Sequence, residues 1–195
     1  MRINPFAGMG PLLLMVTAIS LLGQQNSGYL RTEVDPGRAG VFIDGKYVGP
    51  AGNFGVGRKY KVAAGEHEVK LSEPRYKDVV TKVTIQPGKT TKLVENMTWA
   101  PGYWFPPGHV WEALPPARPP FGTLRTICSD KFAAVYVNGM FVGHAGEFDN
   151  RVEGLLLNPG TYTVKIVPVS GGQGHEEQVQ IEAQKVVIVR SQDSR

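Results

Sequence analysis

The residues best suited to metal or redox chemistry are few and lie far apart along the chain. His175 is followed by Glu176 and Glu177, a grouping that could hold a metal ion weakly, although the two carboxylates would point to opposite faces of an extended strand. Cys128 is the single cysteine, so it cannot form an internal disulfide, and its strand-like surroundings favour a small buried apolar residue. We therefore expect no metal site and no cofactor.

The other histidines, His67, His109 and His144, are poor candidates for catalysis. The chain contains a repeated stretch, described below, in which Tyr162 replaces His67 and Pro50 replaces His144. A residue that exchanges with tyrosine or proline between two copies is not expected to be an essential base. The sequence also lacks the GxSxG, HExxH, P-loop and dinucleotide-binding motifs. We expect no catalytic residue and therefore no enzyme.

Aromatic residues are the stronger candidates for binding, and they concentrate in residues 97–121. This segment holds all three tryptophans and seven of the fifteen prolines, so it is stiff and apolar where an ordinary linker is flexible and polar. The candidate partner-binding residues are Trp99, Tyr103, Trp104, Phe105 and Trp111. Three roles remain open: docking against the flanking domains, stacking on sugar rings or another protein, and insertion into a membrane interface.

The elements that must position these residues come from an internal duplication. VFIDGKYVGPAGNF at 41–54 is matched by VYVNGMFVGHAGEF at 135–148. Before this stretch GYLRT is matched by GTLRT, and after it AAGEHEVKL is matched by NPGTYTVKI. A period near 95 residues that contains its own linker predicts two copies of one domain, at 28–96 and 122–195, joined by the segment 97–121.

Each copy contains the sequence of a two-residue β-hairpin. Asp or Asn followed by Gly adopts the positive φ angles of a type I′ turn, so the turn residues are Asp44, Gly45, Asn138 and Gly139. The turn aligns Ile43 with Lys46, Phe42 with Tyr47, and Val41 with Val48. We expect the aromatic pairs Phe42/Tyr47 and Tyr136/Phe141 either to stabilise the hairpins or to form a second binding surface.

The fold class follows from strand-like alternation. In HEVKL, the residues His67, Val69 and Leu71 point to one face and the intervening charged residues to the other, which is typical of a strand with one buried face. Similar short stretches predict six or seven strands in each copy. The expected fold is all-β: two small antiparallel β-sandwiches in tandem.

The order of these motifs resembles the PEGA domain of bacterial and archaeal surface proteins. The resemblance is carried by VFIDGKYVG with AAGEHEVKL, and by VYVNGMFVG with NPGTYTVKI, and it covers residues 28–96 and 122–190. It implies a prealbumin-like or immunoglobulin-like sandwich located outside the cytoplasm and a similarity to surface-layer proteins. It supplies no catalytic residues.

The N-terminus independently favours export. Arg2 precedes a twelve-residue apolar stretch, Pro11–Leu22, and a polar GQQNS. Twelve helical residues rise only about 18 Å, less than the roughly 30 Å hydrocarbon core of a bilayer. Residues 1–25 are therefore expected to be a signal peptide, with an uncleaved anchor as the alternative.

Composition and charge narrow the class of partner. The net charge is only +4 and no dense basic patch is present, so nucleic acid is not an expected partner. We expect a non-catalytic secreted, periplasmic or cell-surface protein that binds other envelope proteins or polysaccharide. The alternatives are a carbohydrate-binding module and an accessory subunit of a membrane-associated assembly that keeps its N-terminus near the membrane.

Overall fold

The computed structural model describes residues 26–100, 120–150, 154–171 and 174–191, and within them every regular element other than short 3₁₀ turns is a β-strand. The first module contains β1 (Ser27–Asp35), β2 (Gly40–Ile43), β3 (Lys46–Pro50), β4 (Tyr60–Ala63), β5 (Gly65–Ser72), β6 (Val79–Ile85) and β7 (Thr90–Asn96). The second contains β8 (Gly122–Cys128), β9 (Ala134–Val137), β10 (Met140–His144), β11 (Leu155–Leu157), β12 (Gly160–Val167), β13 (His175–Ile181) and β14 (Val186–Ser191). The prediction of two small all-β sandwiches is confirmed.

Each module packs two sheets. One is a four-stranded sheet that carries the hairpin, in the order β3-β2-β5-β6 or β10-β9-β12-β13, and we call it the hairpin sheet. The other is three-stranded, β4-β1-β7 or β11-β8-β14. The two modules therefore share one topology.

The sequence predicts antiparallel sandwiches, but each module also contains one parallel pair of strands. In each three-stranded sheet the first and last strands of the module, β1 with β7 and β8 with β14, pair in parallel. Parallel neighbours need a crossover connection, and here the rest of the module forms it. The sandwiches are thus mainly, but not wholly, antiparallel.

Each module has its own hydrophobic core, built by the predicted alternation. Val69 and Leu71 of β5, and Val164 and Ile166 of β12, are fully buried, while the residues between them face away from the core. Cys128 is buried in the second core, as expected for a small apolar side chain. The two cores are separate clusters, so each sandwich buries its own apolar surface.

The hairpin turns have the backbone that the sequence predicts. Asp44 and Gly45 have φ angles of 50° and 77°, and Asn138 and Gly139 have 49° and 81°. The turn side chains also bridge to the next strand: a carboxylate oxygen of Asp44 accepts from the Glu68 amide at 3.0 Å, and the Asn138 amide oxygen accepts from the Thr163 amide at 2.9 Å.

The predicted hairpin register holds for two pairs and fails at the third. Phe42 lies opposite Tyr47, but Val41 lies opposite Gly49 instead of Val48. A β-bulge causes the shift, and Gly49 adopts a φ of 129° that few other residues tolerate. The second hairpin repeats the bulge, with Gly143 at 141° opposite Val135.

Candidate functional site

The aromatic hairpin pairs of the two modules pack against each other. The Phe141 ring lies 5.6 Å from the Phe42 ring and 5.8 Å from the Tyr47 ring, measured between centroids. Tyr136 packs beside Phe141 at 5.9 Å. These rings lie on the faces of the hairpin sheets that point away from the cores, so each module covers the outer aromatic face of the other.

A hydrogen-bonded set of groups from both modules adjoins the rings. His144 Nε2 lies 2.7 Å from the Arg38 carbonyl oxygen, which can only accept, so Nε2 carries a proton. His144 Nδ1 lies 2.7 Å from the Tyr47 hydroxyl and accepts from it in the neutral ring. The same hydroxyl lies 2.8 Å from the Phe132 carbonyl oxygen, so the two acceptors share one proton.

Burial sets the protonation of this Tyr47–His144 pair. It raises the pKa of Tyr47 far above its ordinary value, so the phenol stays protonated and can donate. Burial lowers the pKa of His144, although the bond to the Arg38 carbonyl opposes that shift. The pair is therefore a neutral contact at neutral pH.

A buried charge cluster lies next to this pair. The Glu73 side chain is only 5% exposed, and it binds Arg38 Nε at 3.1 Å and Arg75 Nη2 at 2.8 Å. Burial raises the pKa of Glu73 to about 7; Arg38 opposes that shift and Glu147 of the second module adds to it. Burial also raises the pKa of Glu147, again against the influence of Arg38. Arg38 thus forms an ion pair with Glu73 and also acts electrostatically on Glu147 of the other module.

A groove of about 540 Å³ opens at one edge of the interface and is lined by both modules. Its apolar wall comes from Phe42 and Tyr76 of the first module and from Tyr136 and Phe141 of the second. We call it the aromatic groove. Its volume and its mixture of rings with a few polar groups are typical of small-molecule sites.

The polar rim of the aromatic groove is pre-ordered. Lys70 Nζ lies 2.7 Å from Asp78 Oδ2, and the Ser72 hydroxyl donates to Asp78 Oδ1 at 2.7 Å. Lys70 stands opposite Phe42 on the neighbouring strand, so a cation and a ring share one face. The rim therefore places charged and polar groups beside an apolar wall.

A second groove of about 500 Å³ lies at another edge of the same interface. It is lined by Tyr47 and Lys46 from the first module and by Tyr136, Lys165 and Val167 from the second. Lys165 lies opposite Tyr136, as Lys70 lies opposite Phe42. The two grooves are thus built from equivalent strands of the two copies.

The family comparison assigns the first module. The family model of the PEGA domain matches residues 27–98. These residues are a PEGA domain. The match covers β1 to β7 and continues through Met97, which is buried in the first core. The second module lies outside the match, although it repeats the strand order of the PEGA domain.

The comparisons with curated proteins and with solved structures give no match or only a weak similarity. No curated protein matches the chain. The Bacillus anthracis TIE protein is similar over 87% of this chain and 34% of its own, at 14% identity and a TM-score of 0.27. SGBP-B of the Bacteroides ovatus mixed-linkage glucan utilization locus, in complex with a mixed-linkage heptasaccharide, is similar over 88% and 45%, at 12% identity and a TM-score of 0.17. This chain spans less than half of either structure, and at these TM-scores neither likeness carries an argument.

Of the five aromatic residues predicted to bind a partner, the structure describes Trp99. Its ring packs edge-on against Tyr76 of the PEGA domain, with centroids 5.2 Å apart, and 42% of the residue stays exposed. Tyr76 and Ala100 both line the aromatic groove, so Trp99 is anchored at its margin. Tyr103, Trp104, Phe105 and Trp111 lie outside the described residues, as does the predicted signal peptide.

Two other histidines make local contacts, and His109 lies outside the described residues. His67 of the PEGA domain bonds to Asp44 Oδ2 at 2.6 Å, which raises the pKa of His67 and lowers that of Asp44. His175 Nε2 lies 3.5 Å from a Glu177 oxygen. Within the described residues no group of three His, Cys, Asp or Glu side chains could hold a metal ion. No helix in that part of the chain is long and apolar enough to cross a membrane.

The residues that sequence reasoning missed are those that join the modules. The exchange of His144 with Pro50 argues against a catalytic role for His144. The same exchange places an imidazole opposite the Tyr47 hydroxyl. The signal was present in two places where the copies differ: Tyr47 aligns with Phe141, and Pro50 aligns with His144.

Proposed function

We propose that this chain is a non-catalytic binding protein that acts outside the cytoplasm, as a secreted, periplasmic or cell-surface component. The observation that carries the proposal is the aromatic groove, whose wall is shared between the PEGA domain and the second module. A wall that needs both modules gives a reason for the duplication, because neither sandwich alone supplies it. The PEGA domain supports a location in the cell envelope.

The polar groups of the groove suit binding better than catalysis. Both carboxylate oxygens of Asp78 are engaged, one by Lys70 and one by Ser72. A serine nucleophile needs a general base that accepts its proton and is itself oriented by a third group. Ser72 instead donates to a carboxylate that is already neutralised by a lysine, an arrangement that holds a rim in place. We therefore propose that the protein is not an enzyme.

Within this function, a carbohydrate is the second candidate, and the groove composition favours it. Aromatic rings offer flat apolar surfaces that can stack on the C–H faces of sugars, and fixed polar groups at the rim can bond to hydroxyls. The groove combines Tyr76 and Tyr136 with Lys70 and Asp78. Trp99, half exposed at the margin, would extend the stacking surface. The expected ligand is a polysaccharide of the cell envelope.

Two further parts of the proposal concern the whole protein. We extend the PEGA assignment to the second module, because it repeats the seven strands, the parallel pair and both glycine features of the hairpin. If residues 1–25 are retained as an anchor, the same grooves would face partners in a membrane-associated assembly. Mass spectrometry of the purified protein distinguishes a retained N-terminus from a cleaved one.

The test is a glycan array and a pull-down of envelope fractions with variants matched between the two grooves. Lys70→Ala changes the aromatic groove, and Lys165→Ala changes the equivalent position of the second groove. We expect Lys70→Ala, and more strongly Lys70→Ala combined with Tyr76→Ala, to reduce binding at least tenfold, whereas Lys165→Ala leaves it unchanged.

Unchanged binding by Lys70→Ala and by Lys70→Ala combined with Tyr76→Ala would show that the aromatic groove is not the contact surface. Trp99→Ala adds a third arm, because its ring lies at the groove margin. Binding of a glycan supports the carbohydrate candidate. Recovery of a protein with no glycan bound contradicts the carbohydrate candidate and supports the broader function.

A further inference from the structure

The contact between the modules has the internal symmetry of a homodimer interface. An open groove of about 350 Å³ between the modules is lined by equivalent residues of the two copies, each pair 94 positions apart. The pairs include Arg38 with Phe132, Pro50 with His144, and Gly52 with Gly146. When a surface packs on its own equivalent about a twofold axis, each residue lies across from its counterpart near the axis. The flanking grooves agree, since Lys70 lines one and its equivalent Lys165 lines the other.

Two pairs of unlike residues, Tyr47 with Phe141 and Pro50 with His144, give this interface a polar contact on one side of the axis only. On one side of the axis the Tyr47 hydroxyl meets His144 Nδ1 at 2.7 Å. Their counterparts, Phe141 and Pro50, carry neither a hydroxyl nor an imidazole. The polar pair also bonds to the backbone of two equivalent residues, Tyr47 to the Phe132 carbonyl and His144 to the Arg38 carbonyl.

This asymmetry would penalise pairing of identical modules. Two first modules packed by the same geometry would place Tyr47 against Pro50. Two second modules would place His144 against Phe141 and leave Nδ1 of a buried imidazole with no donor. A buried polar group without a partner loses its hydration and gains nothing in return. Discrimination between partners by such a loss is a common basis of specificity.

We propose that the outer face of each hairpin sheet is a module-pairing surface whose partner is the unlike module, and that Tyr47 and His144 are its specificity-determining residues. The surface holds the two modules together independently of the segment that joins them. This inference does not depend on what the aromatic groove binds.

The experiment uses the full chain with a site for a sequence-specific protease inserted within residues 101–119. The folded protein is cut, and the two halves are followed by size-exclusion chromatography and native mass spectrometry. We expect a one-to-one complex that persists at about 1 μM, which corresponds to a binding free energy near −8 kcal/mol. If the two halves stay folded but separate at that concentration, the proposal is overturned.

Substitutions that copy the sister residue test the specificity pair. Tyr47→Phe and His144→Pro each remove one member, and each should weaken the complex of halves about tenfold. Because both remove the same contact, the double variant should weaken it no more than the worse single variant. Independent, additive losses would overturn the assignment of the two residues as a pair.

The matched control is Tyr162→Phe, which removes a hydroxyl that bonds to the Asn158 carbonyl within the second module. It should leave the affinity between the halves unchanged. Circular dichroism of each variant checks that both sandwiches are folded, and a variant that fails this check is replaced by His144→Gln or Tyr47→Leu.

The symmetry itself predicts a gain of affinity. Pro50→His with Phe141→Tyr would place the same polar pair on the other side of the axis. There the new hydroxyl would bond to the Arg38 carbonyl, and the new imidazole to the Phe132 carbonyl. We expect the double variant to slow dissociation of the halves, and Pro50→His alone to speed it by burying a ring nitrogen that has no donor. A double variant that dissociates faster than both single variants would overturn the twofold arrangement.

Discussion

The two modules share a fold and a hairpin, and their differences include residues at which they meet. The strand order, the parallel pair and the bulge glycine are the same in both. A buried threonine bonds to the same carbonyl in each copy, Thr32 to Ala51 at 2.6 Å and Thr126 to Ala145 at 2.8 Å. The interface residues Tyr47 and His144 have no such counterpart. The shared features thus lie inside each module, whereas Tyr47 and His144 lie at the contact between the modules.

The largest expected effect comes from matched substitutions in the two cores. Leu71→Ala and Ile166→Ala remove equivalent side chains that are fully buried. Each should lower the free energy of unfolding by about 2–5 kcal/mol, because each leaves a cavity that the sandwich cannot close. Urea denaturation followed by circular dichroism measures both. Val80→Ala, at an exposed position of the first module, should change stability by less than about 0.5 kcal/mol.

The stability losses of these two core variants also compare the two modules. If the interface couples the sandwiches, destabilising either one shifts a shared transition. A loss below about 1 kcal/mol at one position but not the other would break the equivalence of the two cores.

The bulge glycines should give the next largest effect. In Gly49→Ala the new Cβ would lie 3.3 Å from Phe54 Cζ at a φ of 129°, and in Gly143→Ala it would lie 3.1 Å from Phe148 Cζ at 141°. Strained backbone and a crowded ring should lower the free energy of unfolding by about 1–3 kcal/mol in each case. Thermal unfolding measures the change.

The control for the bulge is Gly37→Ala, where a Cβ would meet nothing closer than 3.8 Å. Its effect should be smaller than that of either bulge variant. A bulge variant as stable as the Gly37 variant would contradict the requirement for glycine at the bulge.

Acid should weaken the contact between the modules through His144. Burial lowers the pKa of His144 below its ordinary value of 6.5, and the charged or titratable neighbours that act on it are Arg38, Asp130 and Glu147. The folded protein therefore prefers the neutral ring, and the associated stability is present above pH 6.5 and is lost as pH falls through the lower folded pKa.

Thermal unfolding of the wild type and His144→Gln between pH 7 and pH 5 measures this dependence. The wild type should lose more stability over that range than the variant, because only the wild type must protonate a buried ring. Parallel pH profiles for the two proteins would contradict a role for His144 in the pH dependence.

The smallest expected effect comes from the difference between the two hairpin turns, which have Asp44 in one and Asn138 in the other. Asp44→Asn gives the first turn the residue of the second and keeps the bond to the Glu68 amide, so stability near pH 7 should change little. The pKa of His67 should fall, because the hydrogen bond to Asp44 is the main cause of its raised value. Titration of His67 by nuclear magnetic resonance measures that shift.

His67 has the opposite pH sense to His144. Its raised folded pKa stabilises the protein below the ordinary value of 6.5, and that stability is lost as pH rises through the folded pKa. Asp44→Asn should therefore destabilise the protein more at pH 5 than at pH 8. An unchanged His67 titration in the variant would show that Asp44 does not hold the ring.

Local patterns predicted most of each module. The alternation of β5 assigned the buried face correctly because a strand has a period of two and one face of this sheet packs on the core. The Asp-Gly and Asn-Gly pairs predicted the hairpin because few other residues adopt two successive positive φ angles. The register error at Val48 came from the bulge, whose glycine requirement was visible in Gly49 but was not used.

The amino-acid sequence by itself determined the duplication, the sandwich fold and the place of the hairpins, because these depend on contacts between residues close in the chain or on patterns repeated within it. Only the tertiary structure decided that the two hairpin faces cover each other, that Tyr47 meets His144 across 97 residues, and that Phe42, Tyr76 and Tyr136 share one groove. Such contacts depend on the relative position of two folded bodies. The packing of one sheet face on another leaves no periodic signal in the sequence of either module. An aromatic side chain that points away from its own core has the same sequence pattern whether it contacts solvent or a partner.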